Sequence, residues 1–178
     1  MVYNFYNHQH ARQTTTMVGS IMAKLNSQEL ITQSDAIVVG TVQKTEVAKV
    51  PSVIQAGKDD IVTNATISVD KYLYNPKNLT SNEIVVQTIG GVIENQTMIA
   101  EDSPILGKGQ RVVVFLRQAK DGVFIVFGGL QGKYSVNEDG TVGSENERDV
   151  FINVFGRQMN LDELGKVVAS ITSVESTK

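Results

Sequence analysis

The sequence predicts a mainly β domain, a closed or nearly closed antiparallel barrel or sandwich flanked by two short helices. Three observations carry this. Short apolar or alternating segments recur along the middle of the chain, and Asp121-Gly122 and Asp139-Gly140 mark tight turns between them. Helical periodicity is confined to the two ends, and alternating βαβ units are absent.

The first helix is expected over Leu25–Gln33. Asn26 stands three residues before Glu29, the spacing of a reciprocal cap, and Leu25 and Leu30 occupy the staple positions. Ser34-Asp35 ends it. Ala36–Val47 opens as AIVVGTV, apolar on both faces, as befits a strand covered by a helix on one side. Ala48–Asp60, with Pro51 and Gly57, reads as a long hairpin excursion. In Ile61–Leu73 the residues Ile61, Ala65, Ile67 and Val69 alternate with Asn64, Thr66, Ser68 and Asp70. Tyr72 and Leu73 break that parity, which predicts a bulge.

Asn75–Asn82 is a polar loop. Strands are then expected at Glu83–Thr88, around Thr97–Ala100, and at Arg111–Arg117, Val123–Phe127 and Gly132–Val136. Met159–Ile171 closes the chain as a helix, with Asn160 and Glu163 repeating the cap and Met159 and Leu164 the staple. Leu161, Leu164, Val168 and Ile171 form its apolar stripe. Residues 1–23 lack periodicity and read as a flexible leader, with an edge strand as the alternative, and 24–178 as a single domain.

With 178 residues, 41% of them hydrophobic, the chain supports one substantial core. A net charge of −3 with scattered basic residues argues against nucleic acid, which needs clustered Lys and Arg. No apolar run approaches the roughly 18–20 residues of a membrane-spanning helix. The absence of Cys removes disulfides and thiolate sites. The N-terminus has no apolar stretch of signal-peptide length. Either the protein is cytoplasmic or this is a mature form with a start Met added, and the second reading is favoured.

Candidate sites each meet a plainer explanation. His8 and His10 form an H-x-H pair with no third His or Cys to complete a metal site, so a solvated leader is the better reading. Glu101-Asp102 with Asp70 or Asp35 is a conceivable carboxylate set, but adjacent acids in a strand point to opposite faces. Asp59-Asp60 and Glu138-Asp139 flank turns and are expected to cap or solubilise. Gly90-Gly91 and Gly128-Gly129-x-x-Gly132 follow strands rather than open helices, so sharp bends explain them better than phosphate binding. Sequons at Asn64, Asn78 and Asn95, on positions expected to be exposed, are compatible with modification outside the cytoplasm. No catalytic, cofactor or metal site is expected.

Ser34–Val42 (SDAIVVGTV) resembles the opening of a domain found in many secreted bacterial and archaeal proteins. Ile67–Leu73 (ISVDKYL), Val85–Gly91 (VVQTIGG), Leu106–Leu116 (LGKGQRVVVFL) and Phe127–Val136 (FGGLQGKYSV) follow in that family's order. The layout is also similar to the netrin-like module of tissue inhibitors of metalloproteinases. That resemblance implies an OB-like barrel, closed or partly open, with terminal helices packed on it, and the prokaryotic family implies export. Tyr74-Asn75-Pro76 departs from the Lys-Gly pair that often follows the second strand in that family. The inhibitors act through an N-terminal Cys on the protease zinc, so a cysteine-free chain carries over the fold and not that mechanism.

The expectation is therefore a non-catalytic extracytoplasmic binding module with no cofactor. Its partner is expected to be a protein, with polysaccharide the weaker option for want of an aromatic platform. The partner is expected on a barrel face or on two loops, Ala48–Asp60 with Val50 and Ile54, and Gly90–Pro104 with Gly91, Ile93, Glu101 and Asp102 as its binding positions. A surface-layer or filament subunit is the first alternative, and an unrecognised hydrolase the second.

Overall fold

The computed structural model describes residues 13–19, 22–52, 55–119, 122–144 and 159–175. Among them β1 (Thr14–Val18) precedes α1 (Ser27–Thr32), followed by β2 (Ala36–Pro51) and β3 (Asp59–Tyr74). Next come β4 (Glu83–Ile89), β5 (Gly91–Ile93), β6 (Gln96–Ala100), β7 (Arg111–Gln118) and β8 (Phe124–Val126). A 3-10 turn at Gly129–Gly132 leads into β9 (Lys133–Val136) and β10 (Thr141–Gly143). Finally β11 (Met159–Asn160) runs into α2 (Leu161–Glu175).

The class is mainly β with two helices, as predicted, but the expected all-antiparallel pairing is not what forms. One sheet has the order β1-β6-β5, and a larger one the order β11-β10-β9-β7-β2-β3-β4-β8. Both are mixed, because β1 runs parallel to β6 and β4 parallel to β8. Side-chain alternation records which face a residue buries and carries no information on the direction of the neighbouring strand. β8 also pairs antiparallel with β7, so the pairings β2–β3–β4–β8–β7 lead back to β2.

β2 and β7 are apolar on both faces because each separates two cores. Ile37, Val39, Val113 and Phe115 point to the helices, where Leu30, Ile31, Leu164 and Val168 meet them. The alternate residues Ala36, Val38, Val112, Val114 and Leu116 join Ala65, Ile67, Ile84, Val86 and Phe124 on the other side. The helix layer is therefore a cover on one wall of the sheet.

Both helices begin as the sequence predicts. The Asn26 side chain accepts from the Glu29 N–H and Glu29 accepts from the Asn26 N–H, each at 2.9 Å. Asn160 and Glu163 repeat the exchange at 2.9 and 3.1 Å. Each such cap contributes about 1 kcal/mol. Buried Gln131 supplies partners to the irregular segment before α1, accepting from the Leu25 N–H and donating to the Ala23 carbonyl, both at 3.0 Å. Arg117 donates to the Gln33 carbonyl and side-chain oxygen at the end of α1, and lies 3.7 Å from the Phe127 ring centroid.

The long excursion expected over Ala48–Asp60 is corrected. β2 continues to Pro51, which pairs with Asp59, so residues 52–58 alone cross the tip. Pro51 occupies the last rung of the ladder, where proline's missing N–H is tolerated. The predicted bulge is present: Ile37 pairs with Tyr74 and Val38 with Tyr72, leaving Leu73 unmatched. Within the expected leader, Thr14–Val18 form the edge strand β1, while residues 1–12 lie outside the described residues. No helix among the described residues is long and apolar enough to cross a membrane.

Asp35 ties the start of β2 to the end of β7. Burial pushes its carboxyl up, but the Gln118 N–H at 2.8 Å, Lys77 at 2.9 Å and the nearby Arg117 charge hold it below its ordinary value. A depressed folded-state pKa means the stabilisation is complete above the unfolded value of about 3.9 and is lost as pH falls through the lower folded value. Asp35→Asn is therefore expected to lower the urea midpoint at pH 7 and to weaken the acid dependence. Parallel pH profiles for variant and wild type below about pH 4 would rule this linkage out.

Candidate functional site

The small sheet is set off from the large one by Gly90 and Gly91, whose φ values of 112° and 144° turn the chain away at the end of β4. Thr63 Oγ1 donates to the Gly90 carbonyl at 2.7 Å, and Gly91 lies against Thr63 and Val47 with no room for a side chain. A tight turn at Glu94-Asn95, with Glu94 at φ 54°, then joins β5 to β6.

The two faces of this sheet differ. The inner face buries Met98 against the β2–β3 hairpin, where the Ile61 N–H meets its Sδ at 3.3 Å. The register pairs Met17 with Ile99, Thr15 with Thr97, and Val92 with Thr97, so these five side chains share the outer face. Met17 is 66% exposed, Val92 62% and Ile99 46%.

Beside Ile99 a cleft of about 630 Å³ opens between the end of β4, β6 and residues 103–107. Ile89, Ile99 and Ile105 line it, with Thr45 and Thr88 among its polar groups. Ser103 Oγ accepts from the Ile89 N–H at 3.0 Å and pins the covering segment to β4. A second cleft of about 270 Å³ shares Thr88, Ile89, Ser103 and Pro104 with the first and continues to Ile125 and Met22.

Eight large apolar side chains are exposed among the described residues, and Met17, Ile89, Val92, Ile99, Ile105 and Ile125 all belong to this surface. Such concentration separates a contact surface from the singly scattered apolar residues of any protein exterior. The two clefts are lined by Glu101 and Asp102 but by no Lys or Arg, and by no aromatic ring.

Of the expected partner-binding positions, Gly91 and Glu101 line the first cleft and Asp102 the second, whereas Ile93 alternates with Val92 in β5 and lies on the inner face of the small sheet. Val50 sits in the β2–β3 ladder opposite Asp60 and is part of the hairpin, not of a loop. Ile54 lies outside the described residues, as do His8 and His10. Val92 and Ile99 lie within the expected loop Gly90–Pro104 but were not among its named positions, and Met17 and Ile105 lie outside it. Each stands in a short or irregular apolar segment whose exposure depends on how the small sheet is seated.

The carboxylates do not assemble. Asp35 is engaged by Lys77 and the Gln118 N–H, and Asp70 pairs with Arg111 at 3.1 Å. Among the described residues no three His, Cys, Asp or Glu side chains converge as metal ligands. Asp139 caps its own turn, held below the ordinary range chiefly by the Thr141 hydroxyl and then by the Thr141 N–H. Gly128, just before the 3-10 turn, and Gly129, its first residue, adopt positive φ, the sharp bend predicted for them. Of the sequons, Asn78 is exposed in a loop, Asn95 is half-buried, and Asn64 is half-buried and accepts from Gln87 Nε2 at 2.9 Å. The exposure expected of all three holds for Asn78 alone. Comparison with models of known protein families gives no match, and comparison with curated protein sequences gives none either.

Proposed function

We propose that the chain is a non-catalytic protein-binding module that works outside the cytoplasm, built on an OB-like barrel with an added three-stranded sheet. The circuit of pairings through β2, β3, β4, β8 and β7 supports the barrel reading, since a five-stranded ring is the OB arrangement. Export rests on the resemblance to secreted prokaryotic domains. The observation that carries the binding reading is the clustering of exposed Ile and Met side chains around the small sheet and its clefts.

The chemistry favours a protein partner over a polysaccharide. A sugar site uses aromatic faces, and neither cleft has one. Apolar anchors rimmed by Glu101 and Asp102 suit a protein surface presenting aliphatic side chains beside Lys or Arg.

The test immobilises the protein and exposes it to concentrated culture medium of its source. The Ile99→Asp/Ile105→Asp double variant is expected to lose the retained protein by at least about tenfold in affinity, or roughly 1.4 kcal/mol. Val174→Asp, at an exposed apolar site on α2, should leave capture intact. Undiminished capture by the double variant, or retention of polysaccharide instead of protein, would overturn the proposal.

A further inference from the structure

β1 is an edge strand of the small sheet. It is held on one side only, by β6, and among the described residues nothing pairs with its other side. The chain from Gln13 to Ala23 carries no charged residue and no proline, the usual devices that keep an edge strand from accepting another. The edge strand β11 of the large sheet, by contrast, is only two residues long.

The hydrogen bonds of β1 define which of its groups face outward. The Thr14 N–H donates to the Asn95 carbonyl at 2.9 Å, and the Val18 carbonyl accepts from the Glu101 N–H at 3.2 Å. In a parallel ladder alternate residues turn both backbone groups to the same neighbour, so Thr14, Thr16 and Val18 face β6. Thr15 and Met17 therefore direct their N–H and C=O groups to the side away from β6.

We propose that β1 pairs antiparallel with β1 of a second copy about a two-fold axis through Thr16. In this register Thr15 lies opposite Met17 of the second copy, and reciprocally. Each pair exchanges both of its backbone hydrogen bonds, and all five residues of the strand are used. Other two-fold registers leave part of the strand unmatched. The result is a continuous six-stranded sheet whose outer face carries Met17, Ile99 and Val92 from both copies. This dimer goes beyond the binding reading above and stands or falls separately from it, because the strand edge and the outer face are different surfaces.

The absence of Cys makes the register directly testable, since any introduced Cys is unique. At the axis the two Thr16 residues form a non-hydrogen-bonded pair with Cα atoms about 4.5 Å apart, within disulfide range. The two Thr14 residues, on the same face and equally exposed, are roughly 14 Å apart. Under mild oxidation Thr16→Cys is expected to form a covalent dimer and Thr14→Cys to remain uncrosslinked.

Light scattering of the unmodified protein should give twice the chain mass at high concentration. Met17→Pro removes an outward N–H without touching the β1–β6 ladder, so it should give a monomer with unchanged far-ultraviolet circular dichroism. A wild type that stays monomeric up to about 1 mM, high enough to reveal a millimolar Kd, overturns the proposal. Equal crosslinking of the two Cys variants, or a Met17→Pro variant that still dimerises, overturns it as well.

Discussion

A methyl group at Gly132 is expected to cost the fold about 3 kcal/mol or more, the upper end of overpacking penalties. The Cβ would stand 1.9 Å from the Phe127 carbonyl oxygen and 3.0 Å from a Val126 methyl. Neither obstacle can easily move. The Phe127 N–H is bonded to the Phe115 carbonyl at 2.8 Å, and the Gln131 N–H to the Gly128 carbonyl at 3.0 Å, so the turn is fixed at both ends. Relief of the clash requires breaking one of these bonds inside a buried segment. Urea denaturation of Gly132→Ala would measure the cost. Gly57→Ala, at an open hairpin tip with φ 78°, is the comparison: only backbone strain applies there, worth about 1–2 kcal/mol. If the two variants lost the same stability, the close approach at Gly132 would be of no consequence.

Truncating Phe115 to alanine is expected to cost about 3–5 kcal/mol. Its ring is fully buried and meets Tyr134 edge-on, with centroids 5.9 Å apart and planes at 61°. It belongs to the core shared by both helices and the sheet, beside Ile37, Leu164 and Val168. The void would open between layers, where neither a helix nor a β-sheet can contract far without disturbing the other. Phe115→Leu, which keeps most of the volume, should cost less than about 1.5 kcal/mol. The alanine variant should also speed amide hydrogen exchange in α2 more than in β3, because α2 is anchored through this core. A loss under about 1 kcal/mol, or uniform exchange in both elements, would show that the helix layer stands without the ring. Either substitution removes a large part of a typical domain's 5–15 kcal/mol.

Local chemistry was legible wherever a few neighbouring residues decide the outcome. Asn26 with Glu29 and Asn160 with Glu163 start their helices as written, because a cap is a contact among residues three apart. AIVV in β2 reads as buried on both faces and is so, since alternate side chains enter two cores. The parity break at Tyr72-Leu73 marks a bulge because extra residues in a strand necessarily shift its period. The hairpin at Pro51 was misread, because proline usually interrupts a ladder and here sits at its end.

The site was legible only in part. Gly91, Glu101 and Asp102 line its clefts and Ile93 does not, and the apolar side chains that define it, Met17, Val92, Ile99 and Ile105, gave no periodic signal. An exposed Ile in an irregular segment is indistinguishable in sequence from a buried one. Its exposure is set by what packs over it.

Neighbouring residues were enough to set the mainly β class, the two capped helices, and the burial of both faces at the start of β2. Local propensity and alternation are properties of neighbouring residues, and they survive without knowledge of the rest of the chain. Only the assembled chain decided that β1 runs parallel to β6 and β8 parallel to β4, that β7 closes a circuit back to β2, and that a second small sheet stands on the end of the β2–β3 hairpin. Those outcomes depend on contacts between residues far apart in the chain, chosen by which surfaces fit together once the strands exist. The outer edge of β1, unpaired among the described residues, and the exposed face beside it arise at that level, and with them the surfaces on which the proposed binding and pairing depend.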